Sequence, residues 1–181
     1  MRVLICGAGR VGHGIARRLA REKHDITIID EDQDLVDQVS TDLDVRGYTG
    51  HAAHPDVLKR AGAADCEMII AVTHFDEINM VICQIAHTLF SVPFKIARVR
   101  DQSYIDPAWK NIFSREGLPI DMVISPEVEV GEAILQRLRT PGAIMSATFG
   151  RGKVRLLGLE ITDNNPLLDT AVDQIRGLFP D

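Results

Sequence analysis

The chain has 181 residues, 45% hydrophobic and 25% charged, a balance that suits one soluble globular core with a small appendage. Its net charge of -6 and pI near 5.5 argue against a non-specific nucleic-acid binder, which needs a basic face to displace counterions from phosphates. Three scattered cysteines (Cys6, Cys66 and Cys83) make no disulfide framework and point to a reducing cytosol. Met1 runs straight into a strand-like segment, so no signal peptide is expected, and no apolar run reaches the roughly 18 residues that cross a bilayer.

In chain order the pattern alternates strand and helix. Val3 to Cys6 is a short apolar run ending in glycines, as a central parallel strand buried on both faces should be. Gly9 to about Glu22 is helical, with Val11, Ile15, Ala16 and Leu19 on one face. Ile26 to Asp30 is a second strand, Leu35, Val36 and Val39 mark a short helix, and Val45 to Tyr48 a third strand closing at Gly50. His54-Pro55 opens a helix that Gly62 can end in the left-handed conformation. Met68 to Val72 is a fourth strand. Ile78, Val81, Ile82, Ile85, Ala86 and Leu89 then have the spacing of a long helix. Thr73 and Asp76 have capping-box spacing, although Asp76 could itself be the cap. Phe94 to Val99 and Met122 to Ile124 are the fifth and sixth strands. Ser125 and Pro126 then start a helix running to about Arg139.

Strands separated by helices predict βαβ units: an α/β fold, a Rossmann-like doubly wound parallel sheet. Thr140-Pro141-Gly142 marks a boundary between residues 1–140 and a tail at 141–181. The tail is a short α+β appendage. It has strands over Ala147 to Arg151 and Val154 to Ile161 around Gly150-Arg151-Gly152, and a last helix from Asn164-Asn165-Pro166 to near Gly177. Some forty residues need support from the main domain, another chain or further sequence.

The first βα turn, Gly7-Ala8-Gly9-Arg10-Val11-Gly12, carries the chemistry. Gly7 permits the tight turn, Gly9 lets backbone approach a pyrophosphate, and Gly12 lets the helix pack on the strand. The helix N-terminus then offers unpaired N–H groups and a positive dipole end. Asp30 ends the second strand, where a carboxylate can accept hydrogen bonds from both hydroxyls of an adenosine ribose. It would repel a 2′-phosphate, and Glu31, Asp32 and Asp34 add to that repulsion, so NAD(H) is expected over NADP(H). Asp32 and Asp34 also read as a solvated turn into the next helix. Thr73 and Arg98 lie at the carboxyl ends of the fourth and fifth strands, the edge where such sheets bind ligands. Arg98 can take a phosphate in a bidentate manner or make a surface ion pair. Arg10 is either a phosphate partner or a solvent-exposed first-turn side chain.

Further along come Gly50-His51-Ala52-Ala53-His54-Pro55, Val57-Leu58, Ala61-Gly62-Ala63, Ala71-Val72-Thr73, Asp76-Glu77-Ile78-Asn79-Met80 and Ile96-Ala97-Arg98-Val99-Arg100. In order and spacing this series resembles the TrkA family. These are the cytosolic nucleotide-binding subunits of Trk-type potassium uptake systems, within the wider class of domains that regulate potassium conductance (RCK domains). The resemblance is strong over residues 1 to about 140. The tail is similar to the start of the family's C-terminal ligand-binding subdomain. It implies regulation rather than catalysis: a cytoplasmic homo-oligomer, peripheral to the membrane, that gates a potassium transporter subunit in response to NAD(H) and often ATP or ADP. By motif position it implies nucleotide contacts at Gly7 to Val11, Asp30, Thr73, His74 and Arg98, with Glu31 beside them. Gly50 and His51 would lie near the adenine edge, and Glu77 and Asn79 near the mouth. The chain departs from the family in two ways. His51 stands where the wider class often has an acid, and the chain carries one half where TrkA proteins carry two in tandem.

Other readings are weaker. His51 and His54 form H-x-x-H, but no Cys or Glu cluster completes a tetrahedral zinc set; a helix cap and a nucleotide contact suit them better. Cys6 and Cys83 read as small core hydrophobes, and Cys66 has no basic neighbour to activate it. Trp109 could anchor a helix or a subunit contact, or simply pack. An NAD-dependent oxidoreductase would need a second domain and a proton donor; neither Tyr48 nor Tyr104 has a lysine four positions on. Regulation of another cation transporter is the remaining alternative. Val128, Val130, Ile134, Leu135 and Leu138 give the helix after Ser125 more apolar surface than one sheet face uses, which predicts self-association.

Overall fold

The computed structural model describes residues 1–109, 111–114, 116–139, 143–150 and 153–160, together with Leu168, Ala171 and Gln174. The 140–142 boundary, the Arg151-Gly152 part of the tail turn and, but for those three residues, the Asn164 to Gly177 helix lie outside the described residues. The elements are β1 (Arg2–Cys6), α1 (Arg10–Arg21), β2 (Asp25–Asp30), α2 (Gln33–Asp42), β3 (Arg46–Thr49), α3 (Pro55–Arg60), β4 (Met68–Ala71), α4 (Asp76–Phe90), β5 (Phe94–Arg98), β6 (Met122–Ile124), α5 (Pro126–Arg139), β7 (Ala143–Phe149) and β8 (Val154–Leu159).

The chain forms two compact units, Met1–Pro126 and Glu127–Asp181. By compactness α5 groups with the tail, whereas the division expected after residue 140 counts it with the first domain. In the first unit six parallel strands lie in the order β3-β2-β1-β4-β5-β6. β1 is central: Val3 to Cys6 pairs with Met68–Ala71 on one side and with Ile26–Ile29 on the other. The fold is therefore the doubly wound Rossmann type, and strand order reverses between β1 and β4.

Alternation along the strands builds a core on each face. Leu4, Cys6, Ile69, Ala71 and Ala97 pack with α3 and α4 through Leu58, Ile82, Cys83 and Ala86. Val3, Ile5, Ile28, Ile70 and Ile96 pack with α1 and α2 through Ala16 and Val39. Within α1 the buried residues are Gly12 and Ala16, one turn apart, and Ile15 and Leu19 flank them. Val11 corrects the expected stripe. The closest approach to the sheet is made at Gly12 and Ala16, so Val11 turns outward and is 36% exposed.

The second unit contains α5 and an antiparallel β7–β8 hairpin. β7 begins at Ala143, four residues before the expected Ala147. A register irregularity between Ala143 and Met145 breaks the alternation that marks a strand in sequence. Short 3-10 turns at Ala63–Asp65, Gln102–Tyr104 and Pro107–Trp109 carry no periodic signature in the sequence, because three residues are less than one period. Trp109, in the last of these, is 63% exposed, so simple packing is not what holds it.

All three cysteines are free and buried. Burial pushes the Cys83 thiol up to about 12 and that of Cys66 up to about 11, and it raises Cys6 well above the ordinary value. Thiolate is then scarce at neutral pH. A thiol-disulfide reagent at about pH 8 should label less than one cysteine per chain over minutes and all three once denaturant is added. Rapid labelling of the native protein would contradict this burial.

Candidate nucleotide site

The turn from β1 to α1 lies at the strand-order reversal. Gly7 has φ of +110°, and a Cβ there would stand 2.8 Å from the Val72 carbonyl oxygen and 3.0 Å from the Thr73 nitrogen. The turn thus touches the end of β4. Gly12 is tighter still, because its Cβ would fall 1.7 Å from the Gly7 carbonyl oxygen. Gly9 is the opposite case: it precedes α1, and a Cβ on it would meet nothing within 4 Å. Gly9 has no side chain to cap α1 and the first turn holds no acid, so the helix presents its N–H groups and positive dipole end outward. Arg10 is exposed beside them.

Asp30 ties the second strand to this turn. One carboxylate oxygen accepts the Ala8 N–H at 2.6 Å and the other the Asp32 N–H at 3.0 Å. Each oxygen keeps a lone pair for a further donor such as a sugar hydroxyl. Asp32 is exposed and caps α2, accepting from the N–H groups of Asp34 and Leu35, as a solvated turn into that helix should. Glu31 faces His51, Oε1 to Nε2, at 3.3 Å. His51 Nδ1 accepts the Ala53 N–H, which leaves the Nε2 proton for Glu31. Gly50 donates its N–H to the Asp30 carbonyl at 2.8 Å, bringing the end of β3 alongside. His54 stands at the cap position of α3 but makes no side-chain cap bond; its ring stacks on His51 with centroids 4.6 Å apart.

Across the reversal, Arg98 donates through Nη2 to the Thr73 carbonyl at 2.7 Å. Asn79 corrects its expected position at the mouth. It is 0% exposed, and it lies beneath the mouth as a four-way bridge. Its Oδ1 accepts from the Thr73 N–H at 2.8 Å and the Thr73 hydroxyl at 2.7 Å. Its Nδ2 donates to the carbonyls of Arg98 at 2.9 Å and Thr73 at 3.4 Å. Neither capping-box reading holds. The residue before α4 is Phe75, with no side-chain cap, because the Thr73 hydroxyl turns to Asn79 and the Asp76 carboxylate turns to the next loop.

The Asp76 carboxylate, a cap by spacing, serves a different part of the chain. Asp76 is buried, and its Oδ2 accepts the N–H groups of Arg100 at 2.7 Å and Asp101 at 2.9 Å. The Arg100 guanidinium in turn donates to the carbonyl of His74, which is exposed. Nothing in residue type or spacing marks an acid on the first turn of a helix as a clamp on a distant loop. Glu77 points elsewhere; it accepts from the Tyr104 hydroxyl at 3.1 Å, and this bond raises the Tyr104 pKa.

One sheet edge thus gathers Gly7 to Gly12, Asp30, Glu31, Gly50, His51, Thr73, His74 and Arg98, with acids on the β2 side and arginines at the α1 and β5 ends. Residues 3–126 match the model of the TrkA-N domain family. The chain belongs to that family. A TrkA-N relative from Azorhizobium caulinodans, named Trk system potassium uptake protein TrkA, is 52% identical over all of this chain. The chain spans 40% of that relative's length. The TrkA-N domain of the inner membrane protein ybaL from Escherichia coli covers 76% of this chain and 96% of its own, with TM-score 0.66 and 20% identity, which is a likeness of fold. The structure of GsuK bound to ADP has TM-score 0.59 and 25% identity, over 76% of this chain and 33% of that one. Among the described residues no helix is long and apolar enough to cross a membrane.

Proposed function

We propose that this chain is the nucleotide-sensing part of a Trk-type potassium uptake regulator, and that its edge site binds NAD(H) and, as a second class of ligand, ADP or ATP. The observation that carries the reading is the Asp30 carboxylate fastened to the Ala8 N–H beside the open Gly9 position. A carboxylate beside an open helix N-terminus is what a ribose acceptor next to a phosphate site requires, and this supports the reading. Gly7 to Gly12 would hold the phosphates with Arg10 and Arg98, Asp30 and Glu31 the adenosine ribose, and Gly50 and His51 the adenine edge. Thr73 and His74 would border the other side. Asn79 positions Thr73 from below. The GsuK protein with ADP bound supports an adenine nucleotide on this fold.

The ligand is a signal here and not a substrate. Binding shifts how two or more copies pack, by no more than the difference in affinity between the packings. Residues Val128, Val130, Ile134, Leu135 and Leu138 of α5 are all exposed, and a second copy would cover them in a homo-oligomer. The protein would work in the cytosol against the inner membrane face, with a Trk-type transporter subunit as partner. Residues 1–140 would be the RCK N-terminal domain and 141–181 part of the C-terminal subdomain.

Calorimetric titration of NADH, NADPH, ADP and ATP into wild type and Asp30→Ala tests this. NADH should bind at least about tenfold tighter than NADPH, whose 2′-phosphate meets Asp30 and Glu31. Asp30→Ala should weaken NADH about 30-fold, as expected for about 2 kcal/mol of charge-assisted hydrogen bonding. Equal affinity for the two dinucleotides, or an unchanged affinity in the variant with its fold intact by circular dichroism, would sink the ribose assignment.

A further inference from the structure

Phe75 is out of place by local rules. The residue just before a helix is usually Ser, Thr, Asp or Asn, whose side chain caps the first turn. Here α4 starts at Asp76 behind a phenylalanine that makes no cap bond. The ring is 66% exposed and belongs to neither core cluster. Looseness does not explain this. Phe75 N–H donates to the Thr73 hydroxyl at 3.4 Å, and its carbonyl accepts the Asn79 N–H at 3.1 Å. The preceding His74 carbonyl is held by the Arg100 guanidinium. A tied loop therefore holds an aromatic ring in water, and departures from local preference tend to fall at functional sites.

The location says which function. Gly7 abuts Val72 and Thr73, so Phe75 stands two residues from the floor of the phosphate turn, on the β4 side of the strand-order reversal. Asp30 lies on the β2 side. One nucleoside engaged by Asp30 leaves the far side of the pyrophosphate for whatever a dinucleotide carries there. We propose that Phe75 is the stacking platform for the second heteroaromatic ring of a dinucleotide, and that it sets the preference for NAD(H) over mononucleotides such as ADP. The inference rests on the nucleotide reading above. It adds a residue that distinguishes ligands sharing the same adenosine diphosphate half.

The test is calorimetric titration of NADH and ADP into the 181-residue chain as wild type, Phe75→Ala and Phe75→Tyr, with a thermal melt of each. Phe75→Ala should weaken NADH about fivefold or more, the low end of base–aromatic stacking, and leave ADP within about twofold. Phe75→Tyr, which keeps the ring, should restore NADH. Unchanged NADH affinity in Phe75→Ala would overturn the stacking role and leave the nucleotide site standing. So would an equal loss of NADH and ADP together with a lowered melting temperature, the signature of a structural residue. If wild type bound neither ligand, the proposed function and this inference would fall together.

Discussion

Gly12→Ala should cost the protein at least about 3 kcal/mol of stability and all measurable nucleotide binding. Inserting one methyl into a packed site usually costs about 1–3 kcal/mol, because side chains can shift. Here the new Cβ would stand 1.7 Å from the Gly7 carbonyl oxygen and 2.9 Å from its carbon. Both are backbone atoms of the same turn, so α1 must lift from the sheet. Two neighbouring glycines separate this effect from generic glycine chemistry. Gly14→Ala meets nothing within 4 Å and lies inside α1, so it should stabilise by about 0.5–1 kcal/mol. Gly9→Ala also meets nothing, and Gly9 has φ of -62°, so stability should barely move; binding should nonetheless fall, because the methyl occupies the approach to the helix end. Urea unfolding followed by far-ultraviolet circular dichroism gives the three stabilities, and NADH titration the affinities. A Gly9→Ala variant that binds as well as wild type would mean that phosphates do not sit there.

Asn79→Leu should be the most damaging change of similar volume beneath the site. It removes the acceptor for the Thr73 N–H and hydroxyl and the donor to the Arg98 carbonyl, all in a position with no solvent access. Each buried polar group deprived of its partner costs about 1–3 kcal/mol, so the total is about 3 kcal/mol or more. For a chain of this length that corresponds to a melting temperature lower by about 10 °C. Nucleotide affinity should fall as well, since Thr73 and Arg98 lose their common brace. Asn79→Asp keeps an oxygen for Thr73 but faces a carbonyl with a buried carboxylate, so it should not rescue. Normal stability with lost binding in Asn79→Leu would mean that the side chain contacts ligand directly and that the positioning role is wrong.

Much of this was legible in residue order. The strand-helix alternation, the glycine turn, Asp30 at the end of β2 and Gly62 with φ of +86° after α3 all follow from local rules of periodicity and backbone preference. Those rules act within a few residues, so a single sequence carries them. The departures arise where a residue answers to something distant. Val11 fits the helical stripe by spacing, but the depth of contact at Gly12 and Ala16 rotates it outward. Thr73 and Asp76 have the spacing of a cap, but Asn79 and the Arg100 loop claim their side chains. His54 holds a cap position, but its ring joins His51.

The sequence by itself determined the class of the protein: a doubly wound sheet, a glycine turn opening the first helix, an acid at the end of the second strand, and membership of the TrkA-N family. Its signals are short-ranged: glycine where no Cβ can stand, apolar residues at fixed periods, and an acid at a strand end. Only the tertiary structure decided which side chains face the site and which lie under it. Asn79 and Asp76 look alike as polar residues on the first turns of α4, yet both are buried, Asn79 bonded to the end of β5 at Arg98 and Asp76 to the loop that follows it at Arg100. Phe75, the apolar residue beside them, is the one left in water. Burial is a property of how strands and helices stack, and hydrogen bonds between β4, α4 and β5 exist only once the sheet has assembled.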